Sequence, residues 1–109
     1  MYTKEYLRKL GLNGTYLGFH YLSEAINLVS QNKTLLLALN TQLYPIIARK
    51  YLTSSENVER NIRTAISICW SKGDRELLNN LFPKPLNHKP SAGEFIDALY
   101  TLTNNCKQD

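Results

Sequence analysis

The chain has 109 residues and a formal net charge of +4, and 43% of its residues are hydrophobic while 20% are charged. This composition excludes a disordered tail, and a chain of this length buries one modest core, so we expect a single domain over residues 1–109. The longest apolar run, Leu35–Leu39, is far shorter than the roughly 20 residues of a membrane span. No signal-peptide pattern follows Met1, so a cytoplasmic location is expected.

Apolar residues recur at helical spacing along nearly the whole chain, and no segment alternates as a strand does. The pattern predicts an all-α fold, a single compact bundle of about six helices. In chain order, these helices cover approximately residues 3–10, 15–31, 44–51, 54–72, 75–82 and 91–103. The residues from Asn104 onwards are expected to fray.

A further apolar segment lies between the second and third of these helices. It runs from Thr34 to Leu43, and its spacing predicts an inner face of Leu35, Leu36, Leu39 and Leu43. Pro45 interrupts it, because proline is tolerated in the first turn of a helix and breaks a helix interior. We therefore expect a new short helix to begin near Tyr44.

The helix over residues 54–72 has the most informative pattern. Thr53 and Glu56 have the spacing of a capping box, and Ser91 and Glu94 repeat it before the last helix. The predicted buried stripe consists of Val58, Ile62, Ala65, Ile66 and Cys69. The opposite side collects polar residues, with Glu59 on its flank: Glu56, Asn57, Arg60, Arg63, Thr64 and Ser67.

Residues 44–70 together have the pattern of a helix-turn-helix. Ala48 on the first helix lies ten positions before Val58, as expected where two such helices cross, and Ile47 and Tyr51 would fill the other inward positions. The turn, Leu52–Ser54, lacks the glycine that is usual there. The spacing is also compatible with a helical hairpin inside an all-α core.

The polar side of the helix over residues 54–72 has chemistry suited to a major groove. Arg60 and Arg63 carry forked donors that fit guanine or phosphate, and Glu59 can accept from a cytosine amino group. The free N–H groups at the start of the helix suit a phosphate. A solvated face of ion pairs, Glu56–Arg60 and Glu59–Arg63, would have the same pattern.

Other kinds of site are not indicated. Cys69 and Cys106 lie far apart and form neither a disulfide framework nor a zinc motif. The sequence has no nucleophile–base pair, paired-carboxylate motif or phosphate-binding glycine loop. We therefore expect no enzymatic activity, no metal site and no cofactor, and the basic charge favours a polyanionic partner.

Several stretches make the sequence resemble the C-terminal DNA-binding domain of stage-zero sporulation protein A, a response regulator that starts endospore formation. The likeness covers about residues 6–102. The stretches that carry it are Gly18-Phe-His-Tyr-Leu-Ser-Glu-Ala-Ile26, Leu43-Tyr-Pro-Ile-Ile-Ala-Arg-Lys-Tyr51, Val58-Glu-Arg-Asn-Ile-Arg63, Ala65-Ile66, Trp70-Ser-Lys-Gly73 and Lys89-Pro-Ser-Ala-Gly-Glu-Phe-Ile96.

The resemblance implies an all-α domain that binds a short promoter box of double-stranded DNA through the helix over residues 54–72. Copies on tandem boxes would associate head to tail. Glu59 and Arg60 match base-reading residues of the family, and we expect Asn57 to assist them. The expected backbone contacts are Arg63, Arg49, Lys50, Ser55 and Thr64.

The sequence departs from the family pattern at the predicted interface. Asn57 and Thr64 replace an arginine and a histidine, and the loop from Pro83 to His88 is shorter. Each charge lost should lower the affinity for DNA and flatten its salt dependence.

Full-length members begin with a receiver domain that residues 1–109 do not contain, so we consider both a cut-out domain and a natural stand-alone relative. The first functional hypothesis is a sequence-specific transcription regulator of a sporulation-type pathway. The alternative is a protein-interaction module, or a competitor of a full-length regulator, that has lost specific DNA binding.

Overall fold

A computed structural model describes the backbone of residues 2–108 and the side chains of residues 3–104. This part of the chain contains no strand. The α-helices are α1 (Tyr2–Lys9), α2 (Leu17–Gln31), α3 (Tyr44–Lys50), α4 (Ser55–Ser71), α5 (Arg75–Asn79) and α6 (Ala92–Gln108). The prediction of an all-α bundle of about six helices is confirmed.

One hydrophobic core holds the helices together, with α2 and α4 in contact at its centre. Phe19 on α2 and Phe95 on α6 are the largest fully buried side chains in it, at 1% and 0% exposure. All five residues of the predicted α4 stripe are buried, from Val58 to Cys69. Burying each large aliphatic or aromatic side chain contributes about 1.5–3 kcal/mol, so this periodicity fixes which side of α4 faces outwards.

Gly18 sets the distance between α2 and α4. A Cβ atom at this position would overlap the carbonyl oxygen of Asn61 and would lie 2.7 Å from the Cβ of Ala65. The glycine stands in the first turn of α2, where its helix-propensity cost is offset by this close backbone approach.

Residues 34–43 do not form a regular α-helix. The segment forms a short 3-10 helix, Lys33–Leu37, followed by a single π-helical turn, Leu39–Leu43. Leu35 and Leu43 are buried, whereas the other two predicted inner residues, Leu36 and Leu39, are only partly buried. The extended backbone of Asn32 and the irregular conformation of Ala38 (φ −142°, ψ 52°) interrupt regular α-helix on either side of the 3-10 turn.

The expected helix ends are only partly confirmed. Asp74 caps α5 through the N–H of Leu77, but the helix ends at Asn79 rather than Phe82. The capping box before α6 is confirmed, because Ser91 N–H donates to Glu94 (2.9 Å) and Glu94 N–H donates to the Ser91 hydroxyl (3.2 Å). The backbone of α6 is helical as far as Gln108, beyond Asn104, where fraying was expected to begin.

Candidate nucleic-acid interface

α3 and α4 pack as a helix-turn-helix. Ile47, Ala48 and Val58 all belong to the core, with exposures of 0%, 5% and 0%, and α3 contacts α4, in agreement with the ten-residue spacing. Tyr51 does not point into this contact. Its ring is 38% exposed and packs edge-to-face on Tyr21 at a centroid distance of 5.2 Å, because it lies at the C-terminal end of α3, beyond the crossing point.

The turn between the two helices takes the conformation that glycine usually provides, with leucine in its place. Leu52 has a φ of +55° and is 92% exposed. The N–H of Thr53 donates to the carbonyl of Ala48 at 2.9 Å, and the N–H of Leu52 to that of Arg49 at 3.4 Å. These bonds form a Schellman motif, which ends α3 and redirects the chain into α4.

Ser54 caps α4, so the prediction that Thr53 is the cap is wrong by one residue. The Ser54 hydroxyl accepts the N–H of Asn57 at 3.1 Å. Thr53 instead accepts a bond from the side-chain amide of Asn57 at 2.9 Å. The N–H groups of Ser55 and Glu56, in the first turn, have no intrahelical acceptor and point towards the start of the helix.

Asn57 is held by hydrogen bonds at both ends of its amide. The side-chain amide N–H of Asn57 donates to the Thr53 hydroxyl, and the side-chain amide oxygen of Asn57 accepts from the side chain of Asn61 at 3.0 Å. One amide N–H and one lone pair are left over. The half-buried Ser55 stands at the first position of the helix.

The polar side of α4 lines an open groove of about 520 Å³. The groove brings together four of the predicted site residues, Glu59, Arg60, Arg63 and Thr64, with three further side chains, Glu56, Ser67 and Lys89. Neither Arg49 nor Lys50 of α3 lines it.

The two arginines of this groove differ in their pairing. Arg63 lies 3.7 Å from the carboxylate of Glu59, and both side chains are largely solvated, so the pair is weak. Arg60 is exposed and, among the side chains of residues 3–104, forms no ion pair. The predicted pair between Glu56 and Arg60 is not formed, and the Arg60 guanidinium remains available to a ligand.

Tyr44, the first residue of α3, is buried close enough to the Glu59–Arg63 pair for both charges to affect its phenol. Burial, and then the Glu59 carboxylate, raises the pKa of its phenol to about 12, and the Arg63 guanidinium acts in the opposite direction. Tyr44 is 2% exposed, which is why burial is the main cause of this shift in pKa.

Lys50 is occupied elsewhere. Its ammonium group donates to the carboxylate of Glu24 at 2.7 Å, and that side chain is only 15% exposed. The hydrogen bond, and then the negative charge of Glu24, raises the pKa of Lys50. Both residues line a different groove of about 690 Å³, which is formed by α1, α2, α6 and the end of α3. Arg49, by contrast, is exposed and forms no ion pair within the described side chains.

Lys89 is the groove residue that sequence reasoning missed. It belongs to the segment between α5 and α6, and its ammonium group donates to the Ser67 hydroxyl on α4 at 2.8 Å. The sequence places Ser67 on the outer side of α4, but no periodicity links it to a residue 22 positions later.

The described residues do not support a metal site, a reactive cysteine or a membrane-spanning helix. The side chains of residues 3–104 include no group of three or more His, Cys, Asp or Glu residues arranged to hold a metal ion. Cys69 is buried, and burial raises the pKa of its thiol to about 12. None of the helices over residues 2–108 has the length and apolar character needed to cross a membrane.

In a comparison with known families, residues 3–102 match the family described as "Sporulation initiation factor Spo0A C terminal". The match includes α3, the turn, α4 and the segment that carries Lys89. This family comprises DNA-binding domains of a sporulation regulator and is not a catalytic family. With nearly the whole chain matched and the all-helical fold in agreement, the chain belongs to the Spo0A C-terminal domain family.

Proposed function

We propose that residues 1–109 act as one domain that binds duplex DNA sequence-specifically and regulates transcription in a sporulation-type pathway, with α4 in the major groove. The observation that carries this proposal is the outer side of α4, where Arg60 is exposed, unpaired within the described side chains and adjacent to Glu59 and Arg63. An α-helix fits the major groove, and helix-turn-helix proteins read bases from the N-terminal part of the second helix.

The side chains divide into base-reading and backbone-contacting groups. Arg60 reads a guanine through two parallel hydrogen bonds, and Glu59 accepts from a cytosine amino group or excludes other bases. Asn57 assists with its remaining N–H and lone pair, without breaking its internal bonds. Arg63, Thr64 and Ser55 contact phosphates and fix the register, the last beside the free N–H groups at the start of α4.

The cations of α3 add backbone contacts in this proposal. Arg49 is free to approach a phosphate as it stands. Lys50 reaches a phosphate only by exchanging its bond to Glu24, so it adds less affinity than an unpaired lysine. Head-to-tail association on tandem boxes would increase the effective concentration of the second copy.

Two substitutions of Arg60 test the proposed base reading. We expect Arg60→Ala to cost about 1–3 kcal/mol of binding free energy on a duplex selected by the protein and to relax the preference at one position. Arg60→Lys keeps the charge and loses the fork, so it should retain non-specific affinity while losing the same preference. Titrations of each protein variant against the selected duplex and against duplexes with single-base changes measure the affinity and the base preference. An unchanged base preference in Arg60→Ala would reject the assignment.

A second candidate is a protein-interaction module, or a competitor of a full-length regulator, without specific DNA binding. The observation in its favour is the neutralisation of Lys50 by Glu24, together with Asn57 at a position where the family has an arginine. Salt separates the two functions, because a DNA-binding protein loses duplex affinity steeply as salt rises. A protein-interaction module that has lost DNA binding would leave duplex DNA unbound even at low salt.

A further inference from the structure

Lys89 projects onto the outer side of α4 from outside the helix-turn-helix. Its ammonium group is held 2.8 Å from the Ser67 hydroxyl, and its side chain lines the same groove as Arg60 and Arg63. A lysine held in this position adds a third cation to that groove.

The charge of Lys89 is oriented without being neutralised. Ser67 is a neutral acceptor, and within residues 3–104 no carboxylate lies within 4.0 Å of the Lys89 ammonium group. Lys50 and Arg63, by contrast, each have a carboxylate partner, Glu24 and Glu59 respectively. An ammonium group with one hydroxyl partner keeps two donors for a ligand.

The segment that carries Lys89 is fixed at both ends. The side chain of Asn79, at the end of α5, accepts the N–H of Leu86 at 3.1 Å. On the other side, Pro90 is buried, and the Ser91–Glu94 capping box starts α6 directly after it. Prolines at 83, 85 and 90 restrict the backbone further. Because the segment is already ordered, binding through Lys89 costs little conformational entropy.

The position of Ser67 along α4 indicates what Lys89 would meet. Ser67 comes seven residues after Arg60, which corresponds to about 10 Å along the helix axis. The major groove is about 12 Å wide. When Arg60 lies among the base edges, Ser67, about 10 Å further along α4, is therefore close to the rim of the groove. The rim is formed by phosphates.

We propose that Lys89 is a further phosphate-binding residue, so that the DNA-binding surface extends from α4 onto the segment between α5 and α6. This inference rests on the proposed function, since it takes α4 to be the helix in the groove. Lys89 adds sequence-independent affinity and reads no base.

The experiment compares Lys89→Gln with Lys84→Gln. Both residues are exposed lysines of the same segment, and each change removes one positive charge, but Lys84 does not line the groove on the outer side of α4. The association constant of each variant of the 109-residue chain is measured from 50 to 200 mM salt on the selected duplex and on an unrelated duplex. Thermal unfolding followed by circular dichroism checks that both variants fold.

We expect Lys89→Gln to weaken binding to both duplexes and to reduce the slope of log K against log salt by about 0.9. The affinity lost between 50 and 200 mM salt should then be smaller by roughly threefold in this variant. Lys84→Gln should match the unmodified protein. Equal slopes in the two variants would overturn the role of Lys89 while the effects of Arg60 substitutions remain. No duplex binding by the unmodified protein would overturn both this inference and the proposed function.

Discussion

Leu52 shows how much the backbone conformation at a single residue contributes to this helix-turn-helix. The turn between α3 and α4 needs one residue in the left-handed backbone conformation. Leu52 provides it, with a φ of +55°, and its branched side chain is 92% exposed. A left-handed conformation costs an L-residue other than glycine about 1–2 kcal/mol. The exposed side chain recovers almost none of that cost through burial.

Replacing Leu52 by glycine should therefore stabilise the protein. Glycine removes the strain but adds about 0.5–1 kcal/mol of unfolded-state entropy, so we expect Leu52→Gly to raise the free energy of unfolding by about 0.5–1 kcal/mol. Leu37→Gly is the matched control, since Leu37 is 91% exposed and has a negative φ. It should lower the free energy of unfolding by a similar amount. Urea denaturation measures the free energy of unfolding of both variants. If Leu52→Gly lost as much stability as Leu37→Gly, the backbone of Leu52 would not be strained.

At the scale of helices, the crossing of α2 and α4 determines how far the outer side of α4 projects. Gly18 permits that crossing because a Cβ atom would meet backbone of α4 rather than a movable side chain. α4 is long and carries its polar residues on the side opposite to this contact. A shift of α2 would consequently displace every side chain of the candidate interface.

Gly18→Ala should lower the free energy of unfolding by about 1–3 kcal/mol, because the helices must move apart to accept a methyl group. Gly93→Ala provides the comparison. At this position in the first turn of α6 the added Cβ would lie 3.5 Å from a methyl group of Leu39, in ordinary contact. It should be neutral or stabilise by up to about 1 kcal/mol. The denaturant midpoints of Gly18→Ala and Gly93→Ala measure the two changes in stability. Similar changes in the two variants would refute the close approach of α2 and α4 at Gly18.

Helix periodicity in the sequence predicted the parts of this molecule that depend on local pattern. It placed Val58 and Ile62 inwards, and it placed Arg60 on the outer side of α4. It misplaced the cap by one residue because Thr53 and Ser54 both offer a hydroxyl, and only the path of the turn decides between them.

The remaining parts depend on contacts between distant segments. The bonds from Lys50 to Glu24 and from Lys89 to Ser67 join residues 26 and 22 positions apart, and no local pattern encodes them. The same holds for residues 33–43, where packing and the conformation of Ala38 overrode an apolar spacing typical of an α-helix.

For the whole molecule, net charge alone is a weak indicator of function, and the distribution of charge is more informative. The chain carries a net charge of +4, and part of its positive charge is paired internally, at Lys50 and partly at Arg63. Arg60, Arg49 and Lys89 stay unpaired within the described side chains. A basic surface without one accessible cluster would bind DNA only weakly, whereas Arg60 and Lys89 share one groove on one helix.

The placement of α4 in the major groove is tested most directly by protection of guanine N7, which faces that groove, from methylation in a duplex selected by the protein. With the unmodified protein bound, we predict protection of at least one guanine, and loss of that protection in Arg60→Ala at a concentration that saturates the same duplex. Methylation of every guanine N7 in the bound duplex as fast as in free DNA would contradict this placement, because α4 would then lie outside the major groove.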